Sequence, residues 1–138
     1  VIVLVDTDVL IDVALDRAPF ADASCALLDV LERRPGTGFI AWHSLSNFFY
    51  LVSPKTGKVR ARDFLLELLR FVAVAPTTTT SFLRATSLDM PDLEGAMQAA
   101  AALACNADVI ATRNLDDFKR SPVRASSPAK LVDEIQRV

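Results

Sequence analysis

The 138-residue sequence is poor in the residues from which many active sites are built: one histidine, two cysteines and four glycines. A single histidine, His43, excludes a histidine-rich zinc centre and leaves only one residue around which a Ser-His-Asp triad could form. No Gly-x-Ser-x-Gly elbow accompanies it. Cys25 and Cys105 lie far apart in apolar, helix-like stretches, the pattern of buried free thiols rather than of a metal or redox pair. The few glycines build no phosphate-cradling loop. No apolar run approaches the roughly 20 residues that cross a bilayer. The opening Val1-Ile2-Val3-Leu4-Val5 is too short for a secretory signal and has no basic leader, so the expectation is a cytoplasmic protein without a membrane segment. A basic excess, common in nucleic-acid binders, is also missing: 15 Lys and Arg stand against 17 Asp and Glu, a net charge of -2. The local exception is KTGKVRAR, where Lys55, Lys58, Arg60 and Arg62 form either an RNA-binding patch or a solvated loop and helix start.

What is present is aliphatic. Hydrophobic residues make up 51% of the chain and aromatics only 7%, which describes a core of aliphatic side chains and alanine in one domain over residues 1–138. Val1 to Val5 is a continuous β-branched run, the mark of a strand buried on both faces. Asp8 or Thr7 can cap a helix over Val9 to Leu15. A second helix carries Ala23, Ala26, Leu27, Val30 and Leu31 at helical spacing and ends at Arg33-Arg34-Pro35-Gly36. Gly38 to Trp42 reads as a strand, and Ser44 begins a helix that stops near Ser53-Pro54. Arg60 to Phe71 is amphipathic, and Val72 to Ala75 is a third strand. One residue of the threonine run 77–80 caps a helix through Leu88. Pro91-Asp92 opens an alanine-rich helix that ends near Asn106. Asp108 to Thr112 is a fourth strand, Val123 to Ser126 a short fifth, and Pro128 begins a final helix. Strands alternating with helices imply an α/β layer fold with a parallel sheet.

In such sheets ligands bind beyond the carboxyl ends of the strands. The polar residues expected there are Asp6, Thr7 and Asp8 after the first strand, and His43, Ser44, Ser46 and Asn47 after the second. Thr112, Arg113, Asn114, Asp116 and Asp117 follow the fourth, with Asp92 and Glu94 opening the helix that leads into it. Carboxylates that converge repel one another unless a cation lies between them, and Mg2+ or Mn2+, hard ions that prefer oxygen, suit such a site. Ions held in this way activate water and stabilise the leaving oxygen in phosphodiester cleavage. Each acid also has a structural explanation: Asp92 as a helix cap, Glu94 as a partner of the helix dipole, Asp116 and Asp117 as loop residues, and Asp12 as a surface or supporting group.

VLVDTDVLIDVAL resembles the opening of PIN domains, an apolar strand followed by Asp-Thr-Asn or Asp-Thr-Asp and an apolar helix. ADVIATRNLDDF resembles that family's strand with Thr-Arg-Asp or Thr-Arg-Asn and a nearby Asp-Phe, and SLSNFFYLV and PDLEGAMQAAAAL resemble the segments between. The resemblance runs through nearly the whole chain in order. It implies a three-layer α/β/α fold with a central parallel sheet of four to five strands flanked by helices. It also implies a Mg2+- or Mn2+-dependent ribonuclease like the VapC toxins, acting on RNA, restrained by a cognate antitoxin and forming a homodimer. Carried over by position, Asp6 matches the family's first acid and Thr7 the hydroxyl beside it. The second acid falls at Asn47, the third at Gly95 and the fourth at Asn114, so three of the four positions lack a carboxylate. The nearby acids are the replacements: Asp92 or Glu94 for the third, Asp116 or Asp117 for the fourth. Asp92, three residues before Gly95 and so on nearly the same helix face, is preferred to Glu94. The expected catalytic set is therefore Asp6, Asp92 and Asp117, with Glu94 and Asp116 as further metal ligands. Thr7, Asp8, Ser44, Asn47, Thr112, Arg113 and Asn114 would support them or meet substrate.

Two other functions fit parts of the sequence. A PIN-fold binding protein with little or no nuclease activity would explain Asn47, Gly95 and Asn114, and could still hold single-stranded RNA through the basic stretch with Arg113, Lys119, Arg120 and Arg124. A haloacid dehalogenase-like phosphatase would use Asp6 as nucleophile and Asp8 as acid/base.

Overall fold

The computed structural model describes residues 1–137. Five short strands form one wholly parallel sheet: β1 (Val3–Val5), β2 (Gly38–Ile40), β3 (Val72–Val74), β4 (Val109–Ala111) and β5 (Ala125–Ser126), in the order β3-β2-β1-β4-β5. The helices are α1 (Thr7–Ala14), α2 (Ala21–Glu32), α3 (Trp42–Thr56), α4 (Lys58–Leu68), α5 (Thr79–Ser87), α6 (Leu93–Ala104) and α7 (Pro128–Gln136). A single 3-10 turn spans Leu115–Phe118.

The central strand explains the continuous apolar run at the start of the chain. Val3 and Val5 pack into one apolar cluster with α1 to α4 and α7, whereas Leu4 packs into another with the alanines of α6. Neighbouring β4 does the same, Val109 and Ala111 to one side and Ile110 to the other. Helices therefore cover both faces of the sheet, and a strand with no solvent face shows no polar alternation. Alanine at positions 99, 101 and 102 lets α6 lie close against β1 and β4.

Three expectations are corrected at element ends. Asp6, rather than Thr7 or Asp8, caps α1: it is extended at φ -69°, ψ 152°, and its side chain accepts from the Thr7 amide. Trp42 belongs to the first turn of α3 and not to the second strand. That helix also runs through Pro54 to Thr56 and ends at Gly57, whose positive φ of 93° turns the chain into α4. A proline so near the end forfeits one helical hydrogen bond, and the neighbouring Val52, buried in the core, still holds the last turns down. Phe48 is fully buried, and Phe64 packs against the core with its ring stacked on that of Phe48 at 4.9 Å.

The chain passes from β1 to β2 on one side of the sheet and later returns to β4 on the other. That reversal opens a crevice beyond the carboxyl ends of β1 and β4.

Candidate active site

Asp6 follows β1 directly and is 8% exposed. Its Oδ1 accepts the Thr7 amide at 2.8 Å, and its Oδ2 accepts the hydroxyl of Thr112, just past β4, at 2.8 Å. Asp8, in the first turn of α1, accepts the Arg113 amide on Oδ2 at 3.4 Å, while its buried Oδ1 has no partner. Burial raises the Asp6 carboxyl to about 7, and the charges of Asp8 and, less strongly, Glu94 push the same way. The bonds from Thr112 and Thr7 offset only part of this. Burial also raises Asp8, against the lowering influence of Arg113. Two acids thus share a poorly solvated pocket in which both cannot comfortably be ionised.

Around them lies a cleft of about 490 Å³. Its acids are Asp6, Asp8, Asp92, Glu94 and Asp117, joined by Asn47, Asn114 and Gln98, and among the described residues no lysine or arginine lines it. Glu94 and Asn47 bridge α6 and α3, the amide donating to Oε1 at 3.2 Å. Asp92 is the N-cap of α6, its Oδ2 accepting the Gly95 amide at 3.2 Å. Of the two acids considered near Gly95, Glu94 is the one whose charge acts on Asp6.

The remaining expected residues sit at different depths. Ser44 and Thr112 are fully buried. The Thr7 hydroxyl donates to Ser44 Oγ at 2.8 Å, beneath the cleft floor. Arg113 does not line the cleft: its Nε donates to Asp12 Oδ2 at 2.7 Å and its guanidinium lies 4.6 Å from the Phe20 ring centre. Asp116 lines a neighbouring groove, which shares Asp117 with the cleft, and pairs there with Lys119 at 3.3 Å. Lys55, Lys58, Arg60 and Arg62 lie at the α3–α4 corner and contribute nothing to the cleft lining.

One participant was not singled out from sequence, and a second lies deeper than a surface position. Gln98, 1% exposed, donates from Nε2 to Ser44 Oγ at 2.9 Å and to Thr7 Oγ1 at 3.3 Å, tying α6 to α3 and α1; its Oε1 is buried without a partner. Its signal was a lone carboxamide in an alanine helix, one turn after Glu94. Asp12, expected at the surface or in support, is completely buried and ion-paired. An acid inside the apolar stretch VLIDVAL was its signal.

The donor set suits a hard cation through oxygen atoms: the carboxylates of Asp6, Asp8 and Glu94 and the amide oxygens of Asn47, Asn114 and Gln98, of which Asp8 Oδ1 and Gln98 Oε1 are buried without partners. It is a sparse set. Among the described residues no three Asp, Glu, His or Cys side chains cluster tightly enough to form a ready-made metal site.

A family model described as PIN domain matches residues 2–116. The fold is similar to that of VapBC2 from Rickettsia felis, solved bound to a promoter DNA fragment, at 19% identity and a TM-score of 0.72, covering 92% of this chain and 98% of that one. It is similar to VapC20 from Mycobacterium tuberculosis, a Sarcin-Ricin loop cleaving toxin, at 15% identity and a TM-score of 0.63, covering 78% and 86%. VapBC-1 from nontypeable Haemophilus influenzae follows at 14% identity and a TM-score of 0.67, covering 93% and 98%. At such identities the likeness is one of fold. No curated protein sequence matches the chain significantly.

Proposed function

The chain belongs to the PIN domain family, and from that premise we propose that it is a divalent-metal-dependent ribonuclease, the toxin of a toxin–antitoxin pair. The observation that carries this reading is the acidic cleft at the carboxyl edge of β1 and β4, centred on an Asp6 raised to about 7. A buried carboxylate pair with an unpartnered oxygen is costly alone and favourable beside a cation. Bound Mg2+ or Mn2+ would supply the Lewis acidity that activates water and stabilises the leaving oxygen. Asp6, Asp8 and Glu94 are the charged residues to hold it, with Asn47 and Asn114 as neutral oxygen donors and Asp92 and Asp117 on the cleft wall. Thr112 and Thr7 fix the Asp6 carboxylate by one hydrogen bond to each oxygen, and Gln98 and Ser44 hold Thr7 from below. RNA is the substrate in this reading. An antitoxin protein and a second copy of the chain are its partners, the former suggested by the VapBC complexes that share the fold.

The phosphatase alternative loses its support. The family model is that of a PIN domain, and α1 begins immediately after β1. The binding-protein alternative keeps one specific observation in its favour, the lack of a three-acid cluster among the described residues.

The deciding experiment is RNA cleavage by the purified, partner-free chain in Mn2+, in EDTA and with Asp6→Ala. Cleavage should require Mn2+ and fall at least about a hundredfold in the variant, the scale of a positioned catalytic group. Activity that survives both EDTA and Asp6→Ala would overturn the reading. Absence of any cleavage in Mn2+ would favour the binding protein.

A further inference from the structure

Tyr50, the only tyrosine of the chain, is 80% exposed although it lines the acidic cleft. It stands on α3 three residues after Asn47, on the same face and about 5 Å farther along the helix axis. Leu51, 55% exposed, extends the apolar wall beside it. The fold gains nothing from this placement, since the ring belongs to none of the apolar clusters. The preceding Phe48 is fully buried and Phe49 packs against the core, so Tyr50 is the member of the Phe-Phe-Tyr run that helix geometry turns outward, into the cleft mouth.

The charge of the cleft limits what can be gripped there. Five acids and no basic side chain line it, so the protein offers a phosphate backbone no cationic handle within the cleft. A strand brought to the acids must be held by its uncharged parts. An exposed phenol ring beside an aliphatic side chain is the surface on which an unpaired base stacks, and stacking tolerates any base because each has a π-face. Ser46 and Asn47, which line the cleft one turn closer to the acids, present polar atoms toward the same space.

We propose that Tyr50 is the stacking platform for an unpaired nucleobase of a single-stranded nucleic acid whose phosphate lies at the Asp6 cleft. The proposal rests on the nuclease reading for the identity of that phosphate, but the stacking itself is measurable without cleavage. A base inside a duplex is already stacked on its neighbours, so the platform selects single-stranded or looped RNA over paired RNA.

The test uses the full chain and a short single-stranded RNA carrying 2-aminopurine, whose fluorescence is quenched on stacking, with Ca2+ present during binding. Wild type and Tyr50→Phe should quench it, and Tyr50→Ala should not. Tyr50→Ala should weaken RNA binding by roughly tenfold or more. In Mn2+ the same variant should raise KM with little change in kcat, and an abasic nucleotide at the stacked position should erase its difference from wild type. The residue is exposed, so the variants fold. If the chain cleaves no RNA, the nuclease reading fails and the quenching still decides the platform. Equal quenching by wild type and Tyr50→Ala would overturn the proposal. So would unchanged RNA binding in a variant that has lost its hold on a protein partner, because Tyr50 would then be a protein contact.

Discussion

Asp6 is pulled in two directions. As the cap of α1 it gains from negative charge near the helix N-terminus, yet burial and the charge of Asp8 make ionisation costly and lift it from 3.8 to about 7. The folded state therefore holds a proton that the unfolded chain releases at lower pH. Stability is full below about 3.8, falls as pH rises through the interval to about 7, and is level above it. At about 1.4 kcal/mol per unit this is a few kcal/mol. Asp6→Asn, neutral throughout, should melt several degrees above wild type at pH 8 in EDTA, with the difference vanishing near pH 4. Equal melting temperatures at pH 8 would show that the carboxylate pair is not strained. Gly95 permits the converse experiment. A Cβ there would meet Met90 Cε at 3.6 Å and the Asp117 carbonyl oxygen and Asp92 Oδ2 at 3.9 Å, ordinary contacts, so a side chain can start from this position. Gly95→Asp should bind Mn2+ roughly tenfold more tightly, since charge count tunes such sites, as read by calorimetry. At this scale the sequence was legible where a residue stands out against its neighbours. Asp6, an acid after five apolar residues, could be picked out. That Glu94 acts on Asp6 while Asp92 is occupied by the Gly95 amide depends on how far each side chain reaches, which spacing does not encode.

Elements were legible where burial left a periodic trace, and their ends were not. The five strands and seven helices follow from apolar runs and helical spacing, but Pro54 stops nothing, because buried Val52 and the Gly57 turn set the end of α3. The link between α1 and the segment after β4 left a fainter mark, one aspartate in an apolar helix and one arginine after a strand. Asp12 is buried and its pair with Arg113 spans 101 residues, with Arg17 only at 4.0 Å. This pair fixes Arg113, whose amide meets Asp8, so it holds one side of the cleft in place. Arg113→Met should cost about 3–5 kcal/mol, the penalty for leaving a buried charge unpaired. Arg113→Met with Asp12→Leu should recover much of that loss in chemical denaturation. A double variant no more stable than the single one would mean that the arginine acts through its packing on Phe20 instead.

The whole molecule separates an apolar core, built on both faces of the sheet, from an acidic cleft at the sheet's edge. The apolar clusters on the two faces of the sheet close without any contribution from the acids, and the Thr7–Ser44–Gln98 bonds give the cleft a floor of neutral groups. The fold should therefore form in EDTA, and a cation should add stability only through the cleft. Binding to the folded state alone raises stability by about 2.7 kcal/mol at a hundred times the dissociation constant. For a chain of this length that is several degrees of melting temperature. The gain should be larger at pH 8 than at pH 5, because a cation competes with the protons that Asp6 and Asp8 retain at lower pH. It should disappear in Asp6→Asn. An equal gain in wild type and variant would place the ion elsewhere on the surface. No gain at either pH, with the fold intact, would mean that a PIN domain with Asn47, Gly95 and Asn114 at its cleft takes no metal there, and its function would then lie in binding alone.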